Sequence, residues 1–187
     1  WSAIVEFTFF PPQDLSKLAV TEIMYHPPDV GLTDGDDFEF LELKNTGTNT
    51  LNLSGLRFTS GITFTFSNGA ALGPGQFFVM ARSASQFASK YPGATLNGIY
   101  AGRLDNAGEL LTLSHPLGAG GLSVTYGERA PWPVTADGFG FSLVPKDPNA
   151  NSDPDNAANW RASSLAGGSP GADDPTNTIA PVVINEV

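Results

Sequence analysis

Phe38-Glu39-Phe40-Leu41-Glu42-Leu43-Lys44 is the clearest strand in the chain. Side chains alternate along an extended backbone, so Phe38, Phe40 and Glu42 share one face, and Glu39, Leu41 and Leu43 share the other. Neither face is purely apolar. Such a strand either lies centrally in a sheet or buries Glu42 as an acid that needs a partner. Asn45-Thr46-Gly47 then reads as a turn.

Outward from this strand the pattern repeats. Residues 18–25 read as a strand stopped by His26-Pro27-Pro28, because proline cannot donate to a ladder. Residues 1–10 read as another, ending at Pro11-Pro12. Downstream, residues 51–59 are a strand interrupted at Ser54-Gly55. Residues 62–66 alternate cleanly, with Ile62, Phe64 and Phe66 on one side and two threonines on the other, as in a half-buried antiparallel strand. Residues 76–82 are strongly apolar. Residues 83–91 are the one good helix candidate: Ser83 is placed to cap it, Phe87 and Tyr91 fall four apart, and Pro92-Gly93 ends it. Strands follow at 98–101, 110–114, 122–126 and 139–144. Strands about ten residues apart with turn signals between them predict a sandwich or barrel.

Composition agrees. Among 187 residues there are 21 Gly and 15 Pro, which leaves little room for long helices. The net charge is −10 and Lys plus Arg number only 9. A nucleic-acid backbone or an anionic membrane surface needs clustered cations, so both are disfavoured as partners. No cysteine is present, which excludes disulfides, thiolate metal sites and cysteine nucleophiles. No run of about 18 apolar residues predicts membrane insertion. The chain opens on Trp1 without Met, so the expectation is a fragment, with any targeting segment lying upstream.

Several pieces in order resemble the lamin tail domain, in its bacterial version from large secreted or surface proteins. They are Val20-Thr21-Glu22-Ile23-Met24-Tyr25-His26-Pro27, Glu39-Phe40-Leu41-Glu42-Leu43-Lys44-Asn45, Leu51-Asn52-Leu53-Ser54-Gly55 and Leu72-Gly73-Pro74-Gly75. Leu104-Asp105-Asn106-Ala107-Gly108-Glu109, Trp132-Pro133, Gly138-Phe139-Gly140-Phe141-Ser142-Leu143, Asn159-Trp160-Arg161-Ala162-Ser163 and Gly168-Ser169-Pro170-Gly171 complete the pattern. The resemblance implies an all-β, immunoglobulin-like antiparallel β-sandwich with one short helix, over residues 17–172. Residues 1–16 would be the end of an upstream domain plus linker. Residues 173–187 would be a linker and the start of a following module, since Val183-Ile184-Asn185-Glu186-Val187 resembles the opening strand.

Function expected on this footing is a non-catalytic interaction or adhesion module of a larger secreted or cell-surface bacterial protein, with a protein or surface polymer as partner. The alternative is a spacer that orients neighbouring domains, kinase or hydrolase among them. A glycan-binding or hydrolytic domain ranks third.

Candidate chemistry is sparse. His26 and His115 are the only histidines, each followed by proline, with no motif around them. Glu22, Glu39 and Glu42 are candidates for a glycosidic carboxylate pair, but Glu39 and Glu42 point to opposite faces of one strand and cannot flank one substrate from it. Glu22 and Glu42 lie in strands that resemble the family's, which implies a structural glutamate holding a loop or a backbone amide. The best metal candidate is Asp147, Asn149, Asn151, Asp153 and Asp155. Oxygens on alternate residues of a folded-back loop can converge on calcium, although the spacing fails the EF-type pattern at Ser152 and Ala158. Asp29, Asp34, Asp36 and Asp37 form a second acidic cluster. Trp132 and Trp160 are a candidate ligand platform, or else a cover over an open end of the sandwich.

Overall fold

A computed structural model describes residues 14–115, 121–149 and 152–176. The strand expected over residues 1–10, the module expected to begin at 183–187, and Asn151 lie outside these residues. Along the chain come β1 (Leu18–Met24), β2 (Phe40–Asn45), β3 (Leu51–Asn52), β4 (Arg57–Ser60), β5 (Ala71–Leu72) and β6 (Phe77–Ala81). Helix α1 (Ala84–Lys90) follows, then β7 (Gly98–Ile99), β8 (Leu110–Ser114), β9 (Gly121–Thr125), β10 (Leu143–Pro145) and β11 (Trp160–Ala162).

One layer is a six-stranded sheet in the order β11-β10-β1-β2-β6-β7. The other holds the β4-β8-β9 sheet and the short β3-β5 pair. Leu18, Val20, Ile23, Leu41, Leu43 and Met80 meet Leu53, Phe58, Phe66, Leu111, Leu113 and Val124 in a single core between them. This is the all-β, immunoglobulin-like sandwich with one short helix that the sequence predicts. The named strands pair antiparallel except β6 and β7, which run parallel.

β2 is buried at all six positions, and the reason explains its mixed faces. Leu41 and Leu43 enter the core between the layers. Phe40 faces outward and packs edge-on against Phe87 and Tyr91, which α1 and its C-cap supply. Ser83 caps the helix through the Gln86 amide. Beyond Phe40, the outer face of β1 and β2 is crossed by a strap, residues 168–174.

A β-bulge interrupts the β1–β2 ladder between Val20 and Glu22. It explains why the core-facing positions are Leu18 and Val20, then Ile23 and, just after β1, Tyr25. The extra residue flips the alternation and sends both Thr21 and Glu22 to the outer face.

Several strands are shorter than expected, with 98–101 reduced to Gly98–Ile99 and 51–59 divided between β3 and β4. Over residues 62–66 the burial alternates as predicted, but the segment is joined only by bridges, Arg57 to Thr65 and Thr63 to Ala101. Over residues 139–144 the ladder begins only at Leu143, because Gly138 and Gly140 both adopt positive φ, 78° and 82°.

Candidate functional site

The buried acids are the most unusual feature of the molecule, since ionisable groups rarely enter a core without partners. Glu22, Glu39 and Glu42 are all buried. The register places Glu22 directly opposite Glu42. The Ser142 hydroxyl donates to Glu22 Oε1, and the Ser169 amide donates to both Glu22 oxygens at 3.1 and 3.2 Å. Glu42 accepts from the Thr21 hydroxyl at 2.6 Å and from the Gly171 amide at 2.6 Å. On the opposite side, Glu39 accepts from the Tyr100 hydroxyl at 3.0 Å and the Leu104 amide at 2.9 Å.

Burial pushes the carboxyls of Glu22 and Glu39 up to about 8 and that of Glu42 up to about 7. The hydroxyl and amide donors pull the other way, and for Glu22 the nearby Glu42 adds to the rise. Each acid therefore fastens one segment to the sheet: the strap through Glu22 and Glu42, and the loop after β7 through Glu39. Two ion pairs extend the fastening. Lys44, buried on β2, donates to Asp173 at 2.6 and 2.7 Å. Arg161 on β11 meets Asp174 at 2.5 Å, and Asp174 also accepts the Ser164 amide.

The acidic loop at 29–37 does not converge on one point. Asp29 accepts the Gly35 amide at 2.8 Å and Asp34 the Asp36 amide at 3.0 Å. Asp36 is buried and lies 3.3 Å from both Arg82 and Arg103. Asp37 lies 3.8 Å from Arg82. The two arginines, far away in sequence, are what the sequence reading missed.

The loop carrying Asp147, Asn149, Asp153 and Asp155 is built from local turns. The Asn149 amide donates to Asp147 at 2.9 Å, and the Asp155 amide to Asp153 at 3.0 Å. Asp155 also takes the Thr125 amide of β9 at 2.6 Å. Among the described residues, no three or more His, Asp or Glu come together as a group that could hold a metal ion. The loop forms one wall of a groove of about 200 Å³ between β9 and the six-stranded sheet, with Leu18, Leu122, Pro145 and Trp160 among its lining.

Trp132 and Trp160 do meet, with ring centroids 6.1 Å apart at 47°. Trp160 is 4% exposed, belongs to the core and donates its indole N–H to Pro154 O at 2.8 Å. Trp132, half-buried, packs against that core, which leaves it as the ring of the pair that solvent reaches.

His26 Nδ1 lies 2.5 Å from Asp137 Oδ1. Among the described residues no serine, threonine or tyrosine hydroxyl hydrogen-bonds this ring, so the pair has the base and orienting acid of a triad without a nucleophile in contact. His115, half-buried just after β8, adjoins the Gly55 turn. No helix among the described residues is long and apolar enough to cross a membrane.

The sequence model of a family described as Lamin Tail Domain matches residues 11–127. Its span ends just after β9, while β10 and β11, beyond it, complete the six-stranded sheet. Comparison with curated proteins gives no match.

Proposed function

The chain belongs to the lamin tail domain family, and on that premise we propose that it is a non-catalytic interaction module of a larger secreted or cell-surface bacterial protein. The observation that carries the reading is the use made of the buried acids. Glu22, Glu39 and Glu42 each accept a backbone amide from a distant segment. Groups spent on holding loops to a sheet build a rigid platform, and in sandwiches the loops on such platforms carry recognition. The partner class is a protein or surface polymer. Low cation content argues against nucleic acid.

The second reading is a spacer that orients neighbouring domains. What favours it is the strap, which lies against the sheet through Glu22, Glu42, Lys44 and Arg161 and would pass a fixed orientation on to a neighbouring domain.

One exchange separates the two. The module is replaced in its parent protein by an unrelated immunoglobulin-like sandwich of similar end-to-end length. A spacer tolerates the exchange. An interaction module does not, and the parent loses attachment to its partner. Retained attachment would sink the first reading.

A further inference from the structure

Seven large apolar side chains are exposed among the described residues, and five of them stand on three loops at one end of the six-stranded sheet. They are Val30 (54% exposed), Leu32 (108%), Val134 (57%), Phe139 (72%) and Leu165 (50%). The strand directions put these loops together. β1 runs towards this end, Ile23 pairs with Leu143 of β10, and Leu143 pairs with Ala162 of β11. Cross-links hold them there: the Gly138 amide donates to His26 O at 3.0 Å, and the Gly167 amide to Gly140 O. His26 and Asp137 brace the same junction. The chain enters β1 from the opposite end, at Leu18.

Single exposed apolar residues are ordinary, but a cluster at one end marks an interaction site. The charge on these loops narrows what fits. The tips themselves, residues 27–34, 134–140 and 164–168, contain three acids, Asp29, Asp34 and Asp137, and no Lys or Arg. Of the cations nearby, Lys90 lies over the Phe38 and Tyr91 rings and Arg129 is paired with Glu128. Asp29 and Asp34 are held by local amides, so their charges are fixed at the rim of the apolar tips. Fixed negative charge around apolar anchors complements a partner with the reverse arrangement. It repels an anionic lipid surface.

We propose that this end of the sandwich is a docking surface for another protein, which offers apolar side chains flanked by Lys or Arg. The proposal rests on the reading of the chain as an interaction module and names the surface that reading requires.

The test is selection from a random displayed peptide library against the wild-type chain, followed by binding of the enriched peptides to two double variants. Leu32→Ser with Phe139→Ser removes the two most exposed anchors. Ile99→Ser with Leu110→Ser alters the two exposed apolar residues that lie elsewhere. All four side chains are exposed, and unchanged melting curves confirm that both variants fold. The expected peptides combine apolar residues with Lys or Arg, weaken with salt, and lose about tenfold or more in affinity on the first variant alone. Peptides that bind the first variant as well as wild type would overturn this surface while leaving the interaction reading standing. Failure to enrich any peptide would overturn a protein as the occupant of this surface, while the interaction reading, which also admits a surface polymer, stands or falls separately by the module exchange. Two further results would assign the surface to a different occupant and so overturn the proposal. One is co-sedimentation with phosphatidylcholine vesicles, the other a wild-type dimer in sedimentation equilibrium, in either case abolished by the first variant.

Discussion

Glu22 and Glu42 face each other across the β1–β2 ladder, and each accepts an amide from the same strap, Ser169 to Glu22 and Gly171 to Glu42. The bulge at Val20 makes this possible by turning Glu22 and Thr21 to the outer face together. Two acids so placed couple the fold to pH.

Burial raises Glu22 and Glu39 to about 8 and Glu42 to about 7, from an ordinary 4.5. The folded state then keeps protons that the unfolded chain has released. Their stabilising contribution is complete below 4.5 and is lost as pH rises through 7 to 8. The slope reaches about 1.4 kcal/mol per pH unit for each group. Urea midpoints from about pH 5 to about pH 9 should fall steadily, and Glu42→Gln should flatten the fall. A stability that climbs over this range would contradict the assignment.

Gly168 has φ +78°, and a Cβ there would overlap the Glu22 carboxylate. Gly168→Ala therefore combines left-handed backbone strain with a clash against a fastening acid. The expected loss is roughly 2–4 kcal/mol, read from chemical denaturation. A change under about 0.5 kcal/mol would mean that the strap does not lie against Glu22.

Asp174→Asn leaves Arg161 without its charged partner at a site where the Asp174 side chain is 4% exposed. A loss of about 1–3 kcal/mol is expected. Limited proteolysis supplies the sharper readout: cleavage within residues 169–176 should accelerate in the variant while the sandwich stays intact.

Calcium at the 147–155 loop, the expectation raised by its alternating oxygens, competes with a simpler use of the same carboxylates as turn acceptors. A cation there would compete with the amides of Asn149, Asp155 and Thr125 for the carboxylates. The expected result is no shift in melting temperature between millimolar calcium and chelator. A rise of several degrees that disappears in Asp153→Asn would place a cation site in the loop.

The sandwich was legible because its strongest signals are local. The mixed faces of residues 38–44 announced a strand covered on both sides, and Ser83, Phe87 and Tyr91 announced the one helix. The resemblance marked Glu22 and Glu42 as structural acids holding a loop or an amide, although nothing local said which amides, since their partners lie as far as 147 residues away. The bulge was hidden because apolar residues at 18, 20, 23 and 25 look like any apolar run. β7 falls within the strand read at 98–101, but nothing in its two residues tells that it pairs parallel with β6. The Asp36 contacts with Arg82 and Arg103 and the exposed tips of Leu32 and Phe139 depend on loop placement, which no spacing in the sequence encodes.

The claim that the buried acids are fasteners is tested most directly by amide hydrogen exchange at Leu104, Ser169 and Gly171. All three amides donate to buried glutamates. The account predicts protection approaching that of β2, with Glu42→Gln selectively accelerating Gly171. Exchange at all three as fast as in exposed loops would contradict it, and would free Glu22, Glu39 and Glu42 for a role other than holding the fold.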